Sequence, residues 1–175
     1  GIVLGDSAGA RVELKRYDIQ DGLGIVMLKQ AGLLTAIITG RESESVALRA
    51  AELRVDDLVQ DRHARKVPAL RRLLQARGLD WSEVAFVGDD LPDLPALALA
   101  GLAACPADAS PEVRERCHYV CAAPGGHDAV REVITLVLEA RGRWQQILEA
   151  GQSGTLRVAR SDPRRRKGGS PASRV

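Results

Sequence analysis

Aromatic side chains are almost missing from this chain. They make up 3% of 175 residues, as 2 Trp, 2 Tyr and 1 Phe. A core of stacked rings is thereby excluded, and the 45% hydrophobic content must pack as Leu, Val, Ile and Ala. Cysteine is scarce as well. Cys105, Cys117 and Cys121 form no Cys-x-x-Cys pair and have no His at zinc-site spacing, so neither a zinc site nor a disulfide framework is indicated. An odd count reads as reduced thiols of a cytoplasmic protein. No apolar run approaches the ~20 residues that cross a bilayer, and no signal-peptide pattern precedes the fold. Charge of one sign is lacking too. The net charge is +2, which gives no global field for nucleic acid or a membrane surface.

What is present is an acid cluster in a telling place. Val84 to Val87 reads as a buried strand, Gly88 turns the chain, and Asp89, Asp90 and Asp93 follow. In open α/β sheets the ligand crevice lies outside the carboxyl ends of the strands. Carboxylates gathered there suit a hard cation such as Mg²⁺, which takes one or two protein carboxylates plus phosphate and water. Asp89 is the candidate metal ligand. Asp93 reads either as part of the cluster or as the cap of the next helix.

The remaining pattern supplies the frame. Ile2–Leu4, a Gly/Asp/Ser-rich loop over Gly5–Gly9, and Ala10–Tyr17 read as a β-hairpin. Val12 and Leu14 alternate with charged residues, so one apolar face packs on the domain body or on another subunit. A helix follows Asp21-Gly22-Leu23-Gly24-Ile25; Asp21 either caps it or reaches a substrate. Leu33–Ile38 reads as a second buried strand ending in Thr39-Gly40-Arg41, with a helix over about Glu42–Leu53. A hydroxyl, a glycine and an arginine at a strand end form a candidate phosphate site. Asp57–Gln60 reads as a strand, and the basic run Arg62–Lys66 opens a helix. Lys66 stands there against the helix dipole, as a cation with an anion nearby or a long side chain in water. Two more short strands, at Leu102–Cys105 and Tyr119–Cys121, and a helix with Val130, Val133, Ile134, Val137 and Leu138 at helical spacing complete the domain. It spans residues 1–150. Residues 151–175, rich in Gly, Ser, Pro and Arg, read as a disordered basic tail. Alternating strands and helices predict an α/β fold, a Rossmann-like parallel sheet with helices on both faces.

On that frame, the order Ile38-Thr39-Gly40-Arg41, Lys66, then Gly88-Asp89-Asp90 with Asp93 resembles the haloacid dehalogenase superfamily of phosphohydrolases. The opening hairpin, the Asp21–Ile25 run, the run Gly88–Pro95 and Pro124-Gly125-Gly126-His127-Asp128-Ala129-Val130-Arg131-Glu132 narrow the resemblance. They are similar to the phosphatases of 3-deoxy-D-manno-octulosonate 8-phosphate, a lipopolysaccharide precursor. The resemblance covers residues 1–140. It implies Mg²⁺ on Asp89, with Asp90 supporting the metal or its water, and phosphoryl oxygens held by Thr39 and Gly40. Lys66 would neutralise the phosphate, and Arg41 and Arg49 would address the sugar acid, with Arg41 favouring an eight-carbon over a nine-carbon substrate. It also implies a homotetramer built through the hairpins, with no large cap domain.

The chain departs from the family in two places. Gln60–Lys66 is one residue longer than the pattern. The family's first motif, Asp-x-Asp-Gly, which supplies the nucleophile and the general acid–base, does not occur. The expectation is a chain whose start has been lost and which is inactive as written. The alternatives are a non-catalytic sugar-acid-binding or oligomerising module, and a phosphatase-like domain of a cytidylyltransferase.

Overall fold

Strand pairing sorts the structure into two parallel half-sheets and a hairpin. It is a computed structural model that describes residues 2–7, 10–63 and 65–156, with side chains from residue 13 onward. The hairpin pairs β1 (Ile2–Ser7) with β2 (Ala10–Lys15) in antiparallel register. Pairing runs on to Ser7 opposite Ala10, so the loop expected over Gly5–Gly9 is mostly strand; Ala8 and Gly9 lie outside the described residues. Its polar face meets the body. The Ser43 hydroxyl donates to Glu13 Oε2 at 2.6 Å, while Leu14 is 56% exposed. The side chain of Val12 lies outside the described residues.

The first half-sheet pairs β3 (Ala36–Thr39) with β4 (Asp57–Gln60) in parallel. The second runs β5 (Ala85–Val87), β6 (Leu102–Cys105), β7 (Tyr119–Val120), all parallel. Helices connect the strands: α1 (Ile19–Gln30), α2 (Glu44–Glu52), α3 (Lys66–Arg77), α4 (Leu94–Leu97), α5 (Pro111–Arg114), α6 (Ala129–Ala140) and α7 (Trp144–Gln152). None of the described helices is long and apolar enough to cross a membrane.

Local chemistry sets the boundaries. Asp18 caps α1, its Oδ1 accepting from the backbone of Gln20 and Asp21. Asp21 is therefore not the cap. Ser43 caps α2 by accepting from Val46 N, so that helix starts at Glu44 rather than Glu42. Leu33 to Thr35 stay out of β3 because they are tied elsewhere. Leu33 N donates back to Leu28, and Thr35 donates both its N–H and its hydroxyl to Asp56 Oδ2 at 2.9 Å.

The strands flanking the acid cluster are less buried than their sequence suggests. Ala103, Ala104 and Cys105 of β6 are at most 1% exposed, because β6 has a partner on each edge. β3 and β5 each pair on one edge only among the described residues, and Ala36 and Ala85 at their starts are exposed. A fully apolar strand needs both edges and both faces covered to vanish from solvent. Two apolar clusters lie on the β5–β7 half, around Leu97–Cys105–Val113 and around Ala104–Cys121–Val133. A third joins α1, α6 and α7 through Met27, Ile134, Leu138 and Ile147. Leu156 packs on that third cluster, so the boundary expected at residue 151 falls inside folded structure. Residues 157–175 lie outside the described part.

Candidate active site

The loop after β5 is organised by Asp93. This residue is 3% exposed. Its Oδ2 accepts from the backbone N of Asp89 at 3.1 Å and of Asp90 at 3.4 Å, and its Oδ1 accepts from Lys66 Nζ. The pair is well shielded, with side chains 17% and 4% exposed for Lys66 and Asp93. The loop can fold so tightly because residue 88 is glycine. A Cβ there would stand 2.5 Å from Asp93 Cβ, a clash with no flexible end to yield. Asp93 is thus neither a solvated turn residue nor a free ligand. It is the fixed point that ties the start of α3 to the end of β5.

Asp90 heads a tight turn over Leu91–Asp93, its Oδ1 accepting from Leu91 N at 2.8 Å, so one carboxylate oxygen is already engaged. Asp89 holds its place through its backbone, the carbonyl accepting from Ser110 N at 2.9 Å. Burial, then the charge of Asp93, pushes the Asp89 carboxyl above its ordinary range, with Lys66 opposing. Lys66 opens α3 with no side-chain cap beneath it. The anion that its unfavourable position called for is, within this chain, the carboxylate of Asp93.

Thr39 ends β3 opposite Gln60. Its hydroxyl accepts from Arg41 N at 3.2 Å and its carbonyl accepts from Asp61 N at 2.9 Å, which closes a compact turn through Gly40. The helix start lies beyond, at Ser43. That residue is clamped between Glu13 and Gln60, whose Nε2 donates to its carbonyl at 3.3 Å. Arg41 is exposed and adds positive potential that helps hold the Glu13 carboxyl below its ordinary range, behind the hydrogen bond from Ser43. Arg49 is committed locally. Its Nη1 pairs with Glu52 at 2.8 Å, its Nη2 donates to the carbonyl of Asp18, and the guanidinium lies 5.8 Å over the Tyr17 ring. A Cβ at Gly22 would stand 2.3 Å from Arg49 Nη2, so the glycine makes room for it.

The sequence reading missed two features. One is the central place of Asp93; its only signal was a third acid four residues after Asp89. The other is a second acid group, in which carboxylate oxygens of Asp18, Asp21 and Asp128 lie within 4.8 Å of one another. Asp21 Oδ1 also accepts from Arg131 N at 2.9 Å, and burial, followed by the charges of Asp18 and Asp128, raises its carboxyl. Asp21 and Arg131 are 110 positions apart, and no local pattern joins them.

Residues 18–101 match the haloacid dehalogenase-like hydrolase family. Over 131 residues the chain is 39% identical to the 3-deoxy-D-manno-octulosonate 8-phosphate phosphatase KdsC of Yersinia pestis, covering 75% of this chain and 70% of that one. The phosphatase of that name from Moraxella catarrhalis, solved with a magnesium ion, a phosphate ion and the sugar acid, superposes with a TM-score of 0.80 at 36% identity, covering 87% of this chain and 85% of that one. A protein of Pseudomonas syringae described as a probable YrbI-family phosphatase superposes with a TM-score of 0.78 at 38% identity, covering 90% of this chain and 85% of that one.

Proposed function

The chain belongs to the haloacid dehalogenase-like hydrolases, a family of phosphoric monoester hydrolases, and from that premise we propose that it holds the phosphate and cation of 3-deoxy-D-manno-octulosonate 8-phosphate in a cytoplasmic, Mg²⁺-dependent phosphatase. The observation that carries this reading is the array Lys66–Asp93–Asp89, where one buried carboxylate pairs with a shielded cation and holds the backbone of a solvent-facing acid. The Moraxella relative's magnesium, phosphate and sugar acid support the same chemistry.

In this reading Thr39 and the backbone N–H groups around Gly40 hold phosphoryl oxygens, and Lys66 neutralises their charge. The residues also fit a magnesium ion. Among the described residues no cation pairs with the Asp89 carboxylate, Asp90 keeps one oxygen free of its cap, and hard oxygen donors of this number leave room for phosphate and water. When bound, the ion offsets the negative charge that builds on the phosphate during transfer. Arg41, exposed beside the Thr39 turn, addresses the sugar carboxylate and favours the eight-carbon acid. Arg49 serves the substrate only by leaving Glu52. The apolar Leu14 side of the hairpin is the face through which four subunits assemble.

Phosphoryl transfer also needs a nucleophile in line with the leaving oxygen. No Asp-x-Asp occurs in the 175 residues, so this chain is expected to bind phosphate without turnover. The second reading is a sugar-acid-binding module. The test is phosphate release from 3-deoxy-D-manno-octulosonate 8-phosphate with Mg²⁺. It compares the chain as it stands with a version extended at its N-terminus by a strand ending in Asp-x-Asp-Gly. Turnover only in the extended version is expected. Release by the 175-residue chain above a metal-free blank removes the need for the added acids. An extended protein that is folded and Mg²⁺-loaded yet inert overturns the phosphatase reading in favour of the binding module.

A further inference from the structure

Residues of α1, α6 and α7 line an open cavity of about 370 Å³. Leu23, Met27, Trp144, Ile147 and Leu156 form its apolar walls, and Arg131 is the one charged residue lining it. Arg131 is held from its backbone, whose N–H donates to Asp21, so the side chain projects from a fixed point on the first turn of α6. Its guanidinium lies 5.9 Å over the Trp144 ring. Nη1 is buried and finds no acceptor among the described residues. The ring offers its negative face to the charge but leaves those N–H groups unpaired, and a buried donor without an acceptor carries a desolvation cost. Apolar walls around one convergent cation are the usual make-up of a small-ligand cleft, and the volume sits at the low end of the ~300–1,000 Å³ such clefts span.

We propose that this cavity binds a small organic monocarboxylate, its carboxylate against the Arg131 guanidinium and its aliphatic body against Leu23, Met27, Ile147 and Trp144. The class follows from the lining. A planar carboxylate matches the guanidinium fork, whereas a phosphate dianion would face a single cation, and a polar body would gain nothing from these walls. No residue assigned to the phosphate site lines the cavity, so the inference stands independently of the catalytic reading.

Octanoate is the probe, with octanol and octylamine as its neutral and cationic counterparts. Trp144 fluorescence is read in the full chain carrying Trp81→Phe, and calorimetry on the unmodified chain repeats the measurement without a fluorophore. Octanoate is expected to give a saturable signal and to bind about tenfold or more tightly than octanol, the difference a charge-assisted hydrogen bond supplies, while octylamine gives none. Arg131→Gln should remove that tenfold and leave octanol binding as it was. Equal affinities for octanoate and octanol in the unmodified chain overturn the proposal. So does the lack of any saturable response, or octanoate affinity retained by a folded Arg131→Gln protein.

Discussion

The two half-sheets use the same kind of sequence and reach different degrees of order. In β5–β6–β7 the middle strand is covered on both edges, and Ala103, Ala104 and Cys105 are at most 1% exposed. In β3–β4 each strand has one partner among the described residues, and every residue of β4 is half-buried. Ile37, Ile38 and Val59 are as apolar as anything in β6. Hydrophobic sequence therefore sets the capacity for burial, and neighbours decide how much of it is realised. The residues proposed for the site come from both halves: Thr39 ends β3, Lys66 follows β4, and Asp89 and Asp93 follow β5. One ion pair, Lys66 with Asp93, joins the better-packed half to the less-packed one.

Breaking that link should have the largest effect. Asp93→Ala leaves a shielded ammonium without its carboxylate and two backbone N–H groups without an acceptor. A loss of about 3–5 kcal/mol is expected from removing one partner of a buried pair, read as the urea midpoint. An unchanged midpoint would mean that the halves are held together by other contacts. Next comes the contrast in packing. Leu97→Ala, at a site 2% exposed, is expected to cost about 2–5 kcal/mol. Leu58→Ala in the half-buried β4 should cost about 1 kcal/mol, since less area leaves water. Equal costs would erase the distinction between the halves. Amide hydrogen exchange sharpens the same point without mutation, with β6 expected to exchange at least about tenfold more slowly than β3.

The smallest effect is one of pH. The Asp89 carboxyl lies above its ordinary value of 3.8, through burial first and the Asp93 charge second. A raised acid holds its proton more tightly in the folded state. Its contribution is full below the unfolded value and is lost as pH rises through the folded one. Asp89→Asn should therefore flatten the decline in stability on going from acid toward neutral pH, as seen in urea midpoints across that range. A decline of the same slope would place its origin elsewhere, with Asp21, raised by burial and by Asp18 and Asp128, the next group to replace.

Much of the fold was legible because it follows local rules. The start of α3 at Lys66, β6 and the apolar stripe of α6 stand where propensity and spacing put them. Asp93 was not legible as an organiser. A third acid after a turn looks the same whether it caps a helix in water or accepts from two amides and a lysine. Asp21 was misread as a possible cap for a similar reason: Asp18, three residues earlier, offers the same chemistry, and only the backbone geometry selects between them. The polar face of the hairpin turned inward because Glu13 met Ser43 across 30 residues, a contact that no alternation pattern encodes.

The sequence by itself determined the order of chemistry along the chain: a hydroxyl and a glycine at one strand end, a lysine at a helix start, acids at another strand end. These depend on residues close in sequence, whose backbone preferences act over a few positions. Only the tertiary structure decided which of those groups are free and which are already spent on one another. Burial and pairing depend on what lies across space, and there Lys66 met Asp93 and Arg49 met the carbonyl of Asp18.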